Sequence, residues 1–470
     1  MLIDSSELQY LQSRNRDEVG RCFSWKGKIL RAIYPEHSDF VKSLFDSGFV
    51  QELIDKNVFV ESQIADYKIE GFDLVVEHKK IWPVLYPQEW TFAMLKDAAI
   101  TTLTVAKIAK KYGLNMKDCH GLNILFDNTT PKFIDLGSFF SNDDQINGWF
   151  PFREFLRFYY YPLQLWGKGH SYVSKLSIFS GNLMPPSEYY LYIYPFYRYL
   201  NLDTIDKIIK LIQSLSALAN MNRSKLLKLS NVIVRNAALF TKYLIAKGKI
   251  KPLSCNLDKL SNKIKGLKEK TRYTVWGEYH TGISKKERRF ERIIELINDL
   301  GGIETAVDIG GNAGKFSNLI LEKTPIKRVV CIDPDENSIS RGYNRIKDLG
   351  KEGITFANYD FMGPIVKLSF EKPNDRFKSD IAVALALTHH LILFHGYLID
   401  NIFEEIKSYA RKYVFIEFMP LGLWVTGAEV NVPDWYNIAW FRQAFANHFT
   451  IMHEEKIAEN NVIFVGKVGS

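Results

Sequence analysis

Cysteine is scarce in this chain. Four residues in 470, Cys22, Cys119, Cys255 and Cys331, lie far apart and form no Cys-x-x-Cys pair. That spacing excludes a disulfide framework and a structural zinc site, and it points to a reducing, cytoplasmic compartment. Charge of one sign is scarce too. The 61 Lys and Arg against 53 Asp and Glu leave a net +8, scattered outside the middle of the chain, so nucleic acid is not an expected partner. A long apolar span is also missing. Residues 381–399 carry no Asp, Glu, Lys or Arg, yet they contain His389, His390 and His395 and read as a buried strand entering a helix. The opening Met-Leu-Ile-Asp-Ser-Ser-Glu has neither the basic start nor the apolar core of a signal peptide. What is present is ordinary globular material, 46% hydrophobic and 24% charged, enough for two domains of roughly 150 to 250 residues each.

The chain is organised around residues 304–316. A short apolar stretch interrupted by Asp308 breaks into a turn containing Gly310, Gly311 and Gly314, residues that let the backbone turn tightly and approach a ligand. A second strand, 328–332, ends in Asp333, roughly twenty residues after the last glycine, where a carboxylate suits a ribose diol because it accepts from both hydroxyls. The Gly-x-Gly-x-x-Gly spacing of a dinucleotide site is absent from this turn. Strands at 305–309, 328–332, 354–358, 380–387 and 413–418 alternate with helical segments, as a doubly wound sheet requires. Two late strands, 449–453 and 462–465, supply an antiparallel edge. Residues 285–300 read as a helix with Phe290, Ile293, Ile294, Ile297 and Leu300 on one face.

The motif Asp308-Ile-Gly310-Gly311-Asn312-Ala-Gly314 resembles the first motif of class I S-adenosylmethionine-dependent methyltransferases, Asp/Glu-x-Gly-x-Gly-x-Gly, with Asn312 in place of the middle glycine. The resemblance implies a Rossmann-like α/β domain and S-adenosylmethionine held by Asp308, Gly310, Gly311, Asn312, Gly314 and Asp333. It also implies Asp360 near the adenine, and an aromatic lid drawn from Trp276 and Tyr279. The fourth strand runs into Thr388-His389-His390. Methyl transfer to a hydroxyl needs alignment and removal of a proton, and one of His389 and His390, not separable from sequence, is the candidate base. A helix cap or a bond to buried backbone is the alternative role.

The N-terminal half reads as a small β-rich lobe with strands at 21–25, 28–34, 58–65 and 73–77 and helical spacing between Asp39 and Asp55. A helix over 90–112 follows and stops at Gly113. Asp118, then Asn123 five residues later, then Asp135-Leu-Gly137, resemble the catalytic loop and the Asp-Phe-Gly turn of protein kinases and related phosphotransferases. That resemblance implies Asp118 orienting or deprotonating a hydroxyl, with Asn123 and Asp135 holding Mg2+ on ATP. No glycine loop precedes the small sheet, and only Lys28 and Arg31 stand as candidates for contacting phosphates. A retained scaffold, with Asp118 and Asn123 holding a loop through local bonds, is therefore the competing reading.

Aromatics crowd 149–166 and 189–200, and core packing outweighs sugar stacking, membrane contact or a domain contact there. Helical spacing at 204–218 and 226–245 completes a helical lobe. Eight lysines between Lys247 and Lys270 mark a solvated linker, or else a contact with an anionic surface such as a membrane face. The run Phe415-Ile-Glu417-Phe-Met-Pro420 with Trp424, Trp435 and Tyr436 resembles the acceptor side of bacterial methyltransferases related to nodulation or surface glycans. In that subgroup a segment with Asp118, Asn123 and Phe133-Ile-Asp135-x-Gly137-Ser138 precedes the methyltransferase domain. The expected organisation is therefore a kinase-like α+β domain over 1–246 (β-rich to about 87, helical from about 88), a basic linker over 247–275, and a methyltransferase domain over 276–470. The expected activity is O-methylation of a glycan, glycolipid or other small hydroxylated acceptor. A bifunctional kinase-methyltransferase or phosphotransferase, and a methyltransferase with a non-catalytic docking module, are the alternatives.

Overall fold

Turn chemistry sets the first sheet. Lys26 and Gly27 both take left-handed backbone, φ +46° and +82°, the geometry of a tight two-residue hairpin. They fold β2 (Gly20–Trp25) back on β3 (Lys28–Ile33). With β1 (Gln9–Tyr10), β4 (Ser62–Ala65) and β5 (Leu74–His78) these form an antiparallel sheet in the order β1-β2-β3-β5-β4. Ile3, Trp25, Leu30, Ala32, Ile69 and Val75 pack into one buried cluster on it. Between β3 and β4 lie α1 (Pro35–Asp46) and α2 (Phe49–Asp55). The single helical span expected there is split at Gly48, whose φ is +80°. Strand pairing expected from Val58 begins only at Ser62, because Val58 and Val60 bond instead to Phe133.

The computed structural model describes residues 1–11, 17–142, 148–179, 183–193, 253–270, 274, 287–363, 371–423 and 432–469. The expected helices at 204–218 and 226–245, the lid residues Trp276 and Tyr279, and Trp424 fall outside them. By contact the chain divides into two units. The first comprises Met1–Ile108, Gly121–Ser138 and Thr271–Ser470; the second comprises Ala109–His120 and Phe139–Lys270.

In the second unit, β6 (Leu114–Met116) pairs with β9 (Phe139–Ser141). Trp149, Phe155, Tyr159, Tyr160, Tyr161 and Trp166 are buried, and Tyr161 stacks on Tyr189 at 3.9 Å. Phe152, Phe158, Tyr190 and Tyr192 are half-buried and Phe150 and Tyr172 exposed, while the expected aromatics at 194–200 lie outside the described residues. A short helix, Leu257–Lys265, buries Leu260 and Ile264 and leaves its lysines in solvent.

The first unit continues with α3 (Phe92–Lys111) as far as Ile108, the hairpin β7 (Ile124–Asp127) and β8 (Thr130–Phe133), and then the C-terminal fold. There β10 (Thr305–Ile309), β11 (Arg328–Asp333), β12 (Ile354–Asn358), β13 (Ser379–Ala384) and β14 (Ala410–Phe418) are parallel. They are joined by β15 (Phe449–Ala458) and the antiparallel β16 (Asn461–Val468), in the order β12-β11-β10-β13-β14-β16-β15. All of β12 and β13, and all of β11 after Arg328, are buried. Runs of that kind belong to strands covered on both faces. The helices are α4 (Glu287–Asn298), α5 (Lys315–Lys323), α6 (Glu336–Asp348), α7 (Pro373–Arg376), α8 (Thr388–Leu393), α9 (Ile399–Ser408) and α10 (Ile438–His448). Strand order reverses on either side of β10, and such a switch point opens a crevice beyond the carboxyl ends of the strands. Among the described residues no helix is long and apolar enough to cross a membrane.

Candidate active site

The turn after β10 holds Gly310, Asn312 and Gly314 at φ +72°, +53° and +66°. Left-handed backbone favours glycine and, among residues with side chains, asparagine, so Asn312 replaces the middle glycine without unravelling the turn. Its Oδ1 accepts from the Ala313 amide at 2.8 Å. Gly311 has no room for a side chain, since a Cβ there would lie 2.7 Å from Cys331 Sγ and 2.8 Å from the Asp308 carboxylate. The amides of Gly310 and Gly311 donate to Ile332 O at 2.9 and 3.2 Å, tying the turn to β11.

Asp308 and Asp333 do different work. Asp308 is buried and accepts from Ser317 Oγ at 2.6 Å, bracing the turn against α5. Burial pushes its carboxyl up to about 6 against that hydrogen bond. Asp333 accepts from the Asn312 amide at 2.9 Å with Oδ2 and from the Asp335 amide at 2.7 Å with Oδ1. Each oxygen thereby keeps a lone pair for a further donor. Burial pushes this carboxyl up to about 7, with the two backbone bonds pulling the other way. Asn358 Nδ2 donates to Asp333 O and Pro334 O at 3.0 and 2.9 Å, joining the ends of β11 and β12. Exposed Asp360 follows, its Oδ1 accepting from the Met362 amide at 3.1 Å. The glycine turn, Asp333 and Asp360 therefore share one edge of three adjacent strands.

On the other side of β10 the chain leaves β13 earlier than the apolar run suggests. Ala386 takes φ +50°, ending the strand, and its amide donates to Glu417 Oε2 at 2.8 Å. Glu417, only 1% exposed, also accepts from Arg289 Nη1 at 3.1 Å and Asn461 Nδ2 at 2.7 Å, while its carbonyl accepts from Thr388 Oγ1 at 3.0 Å. A buried carboxylate needs such partners, and here they fix the turn that carries the histidines. The Leu387 side chain lies beside Gly310, 3.1 Å from where a Cβ would stand.

The rings of His389 and His390 are 4.0 Å apart. Burial, then His390 and Arg289, lower His389 to about 3; burial and His395 lower His390 to about 4. Both are neutral at pH 7. Exposure separates the pair that sequence left joined: His389 is buried and its Nδ1 has no hydrogen-bond partner among the described residues, whereas His390 is half-buried.

In the N-terminal part of the first unit, the Asn123 carbonyl accepts from the Ile134 amide at 3.0 Å, so Asn123 and Asp135 stand together at the base of the β7–β8 hairpin. Asp135 Oδ1 accepts from the Gly137 amide at 3.0 Å and pairs with Arg31 Nη2 at 3.2 Å, and Arg31 Nη1 pairs with Asp17 at 3.0 Å. Lys28 pairs with Glu77 at 2.9 Å. Asp118 belongs to the second unit, where its carboxylate lies 3.9 Å from His120 Nε2. Among the described residues no three His, Cys, Asp or Glu side chains gather as a metal site.

No family model matches the chain. It is 23% identical over 422 residues to the nodulation protein NoeA of Rhizobium meliloti (strain 1021), covering 86% of this chain and 84% of that protein. Among solved structures it is similar to the magnesium protoporphyrin IX methyltransferase ChlM of Synechocystis PCC 6803 with bound SAM, at 15% identity and a TM-score of 0.30 over 41% of this chain and 88% of that one. It is also similar to the N-methyltransferase NodS of Bradyrhizobium japonicum WM9, at 14% identity and a TM-score of 0.30 over 39% and 97%.

Sequence reasoning gave Glu417 no role of its own. Its only local signal is a lone carboxylate in an otherwise apolar strand, and the partners that explain it, Arg289 and Asn461, are 128 and 44 residues away.

Proposed function

We propose that the C-terminal fold is an S-adenosylmethionine-dependent methyltransferase acting on a hydroxyl of a glycan, glycolipid or other small acceptor. The observation that carries the proposal is the Asp333 carboxylate, bonded to the Asn312 amide of the glycine turn at the switch point of the sheet. The residues fit the cofactor. Asp333 retains two lone pairs for a ribose diol, the turn is bare of side chains at Gly310, Gly311 and Gly314, and Asp360 stands on the strand edge that would meet the adenine. Asp308 supports the turn from below through Ser317. Bound there, the cofactor supplies an electrophilic methyl group.

The chain's own part is to hold the acceptor in line and take its proton. His390, neutral and half-buried, is the residue for that proton. Held at about 4, it is a weak base, so proton removal accompanies transfer rather than preceding it. Glu417 and Arg289 hold the turn from which His390 projects. The acceptor class rests on the resemblance of the run Phe415–Pro420 with Trp435 and Tyr436 to the acceptor side of glycan-related methyltransferases. Incubation with methyl-labelled cofactor and separated polysaccharide, glycolipid and protein fractions tests this reading. Label in an O-methyl sugar that His390→Gln abolishes supports it, and label confined to protein overturns it.

A second reading concerns the N-terminal lobe. The order β1-β2-β3-β5-β4, two helices between β3 and β4, and a hairpin framed by Asn123 and Asp135 favour a kinase-like lobe. With Arg31 already on Asp135, its proposed role is that of a scaffold that docks the acceptor or its carrier. Titration with Mg2+ and ATP decides: tight binding that Asp135→Ala removes would make it a phosphotransferase instead.

A further inference from the structure

Helix α6 touches the candidate cofactor site at three points. Its cap residue Asp335 donates its amide to Asp333 at 2.7 Å and accepts from Ser338 at 2.8 Å. Gly342 approaches the glycine turn so closely that a Cβ would lie 2.8 Å from Ala313 O. Arg345 Nη2 donates to the same carbonyl at 2.8 Å.

Other side chains of the same helix grip the N-terminal lobe. Fully buried Tyr343 shares its hydroxyl hydrogen between Asp97 Oδ2 at 2.7 Å and Thr129 O at 2.9 Å. Lys347 pairs with Asp97 at 2.5 Å. Beside them, Asn128 Oδ1 accepts from the Gly353 amide at 3.0 Å, just before β12. Asp97 lies on α3, and Asn128 and Thr129 form the tip of the β7–β8 hairpin whose base carries Asn123 and Asp135. A helix packed without slack against two partners moves with both of them.

We propose that α6 couples the two lobes: Asp97, Thr129 and Asn128 are positioning residues that set Asp333 and the glycine turn, and so tune the affinity of the cofactor site. The identity of the ligand rests on the methyltransferase reading; the mechanical coupling does not. A change at the hairpin base, such as a docked acceptor or carrier, would then be felt at Asp333.

The test uses the full chain and three conservative variants at the contact between the lobes. Tyr343→Phe removes the hydroxyl's bonds to Asp97 and Thr129 and leaves the Lys347 pair in place. Glu89→Gln weakens the buried pair between Glu89 and Arg376 on α7 and serves as the control for lost stability alone. In Tyr343→Phe, hydrogen exchange at the amides of Asn312 and Asp335, both donors to Asp333, is expected to quicken. Exchange at Ala386, the donor to Glu417, stays unchanged. S-adenosylhomocysteine affinity is expected to fall about five- to tenfold. Asp97→Asn is expected to act in the same way, and Glu89→Gln to lower the melting temperature while leaving those amides and the affinity within about twofold of the parent. Unchanged exchange at Asn312 and Asp335 in Tyr343→Phe would overturn the coupling, as would equal losses in Tyr343→Phe and Glu89→Gln. Should the parent chain fail to bind the ligand, the methyltransferase reading falls, while amide exchange still decides the coupling.

Discussion

Burial pushes the Asp333 carboxyl up to about 7, so near neutrality it is partly protonated, whereas a ribose diol that donates two hydrogen bonds favours the ionised form. Ligand binding is therefore expected to release a proton and to strengthen as pH rises from about 6 to 8. Calorimetry in buffers of different ionisation heat measures both effects. Stability of the ligand-free protein runs the opposite way. A folded-state pKa above the ordinary carboxylate value gives stability that is fully present below about pH 4 and is lost as pH rises through about 7. Asp308, pushed up to about 6, acts in the same direction within that window. Asp333→Asn removes its share of the slope, and a melting temperature that climbs from pH 5 to 7 in the parent, with no change of slope in the variant, would contradict this assignment.

The glycine turn tests the argument at the scale of one element. Gly314 combines φ +66° with a site where a Cβ would lie 2.7 Å from the Phe356 ring. Gly314→Ala is accordingly expected to cost about 1–3 kcal/mol in denaturant unfolding. Gly301→Ala, where nothing among the described residues stands within 4 Å of the added Cβ, is expected to stay within about 0.5 kcal/mol. This element was also among the most legible in sequence. The strands β10 to β12 are short apolar runs closed by turn residues, and the distance from Gly314 to Asp333 follows from a β-α-β unit of ordinary length.

Less was legible where partners come from elsewhere in the chain. Periodicity assigned Val58 to a strand but did not show that its partner is Phe133. The apolar run through Leu387 gave no sign that Ala386 turns left-handed because Glu417 holds its amide. The spacing that picked out Asp308 did not tell that its carboxylate faces Ser317. Motifs record local geometry; burial networks such as Arg289-Glu417-Asn461 are tertiary.

For the whole molecule, the N-terminal lobe is part of the first unit rather than an appendage. Arg376 is buried against Glu89, with Nη1 3.0 Å from Oε2, and its guanidinium lies over the rings of Tyr86 and Phe377. Removing one member of a buried pair strands the other, so Glu89→Ala is expected to cost about 3–5 kcal/mol, read from denaturant unfolding of the full chain. A loss under about 1 kcal/mol would mean that water reaches Arg376. The same contacts bear on how the halves divide the work, because a C-terminal fold without residues 1–138 would lose the partners of Tyr343, Gly353 and Arg376 together.

The functional reading depends on one site binding one kind of ligand. The measurement that tests it most directly is calorimetric titration of the full chain and of Asp333→Ala with S-adenosylhomocysteine. Binding of one ligand per chain, weakened at least about tenfold in the variant while its circular dichroism is unchanged, is the expected result, and a tenfold change corresponds to about 1.4 kcal/mol. No binding by the parent chain, or equal binding by both proteins, would contradict the assignment of the glycine turn and Asp333 as a methyltransferase cofactor site.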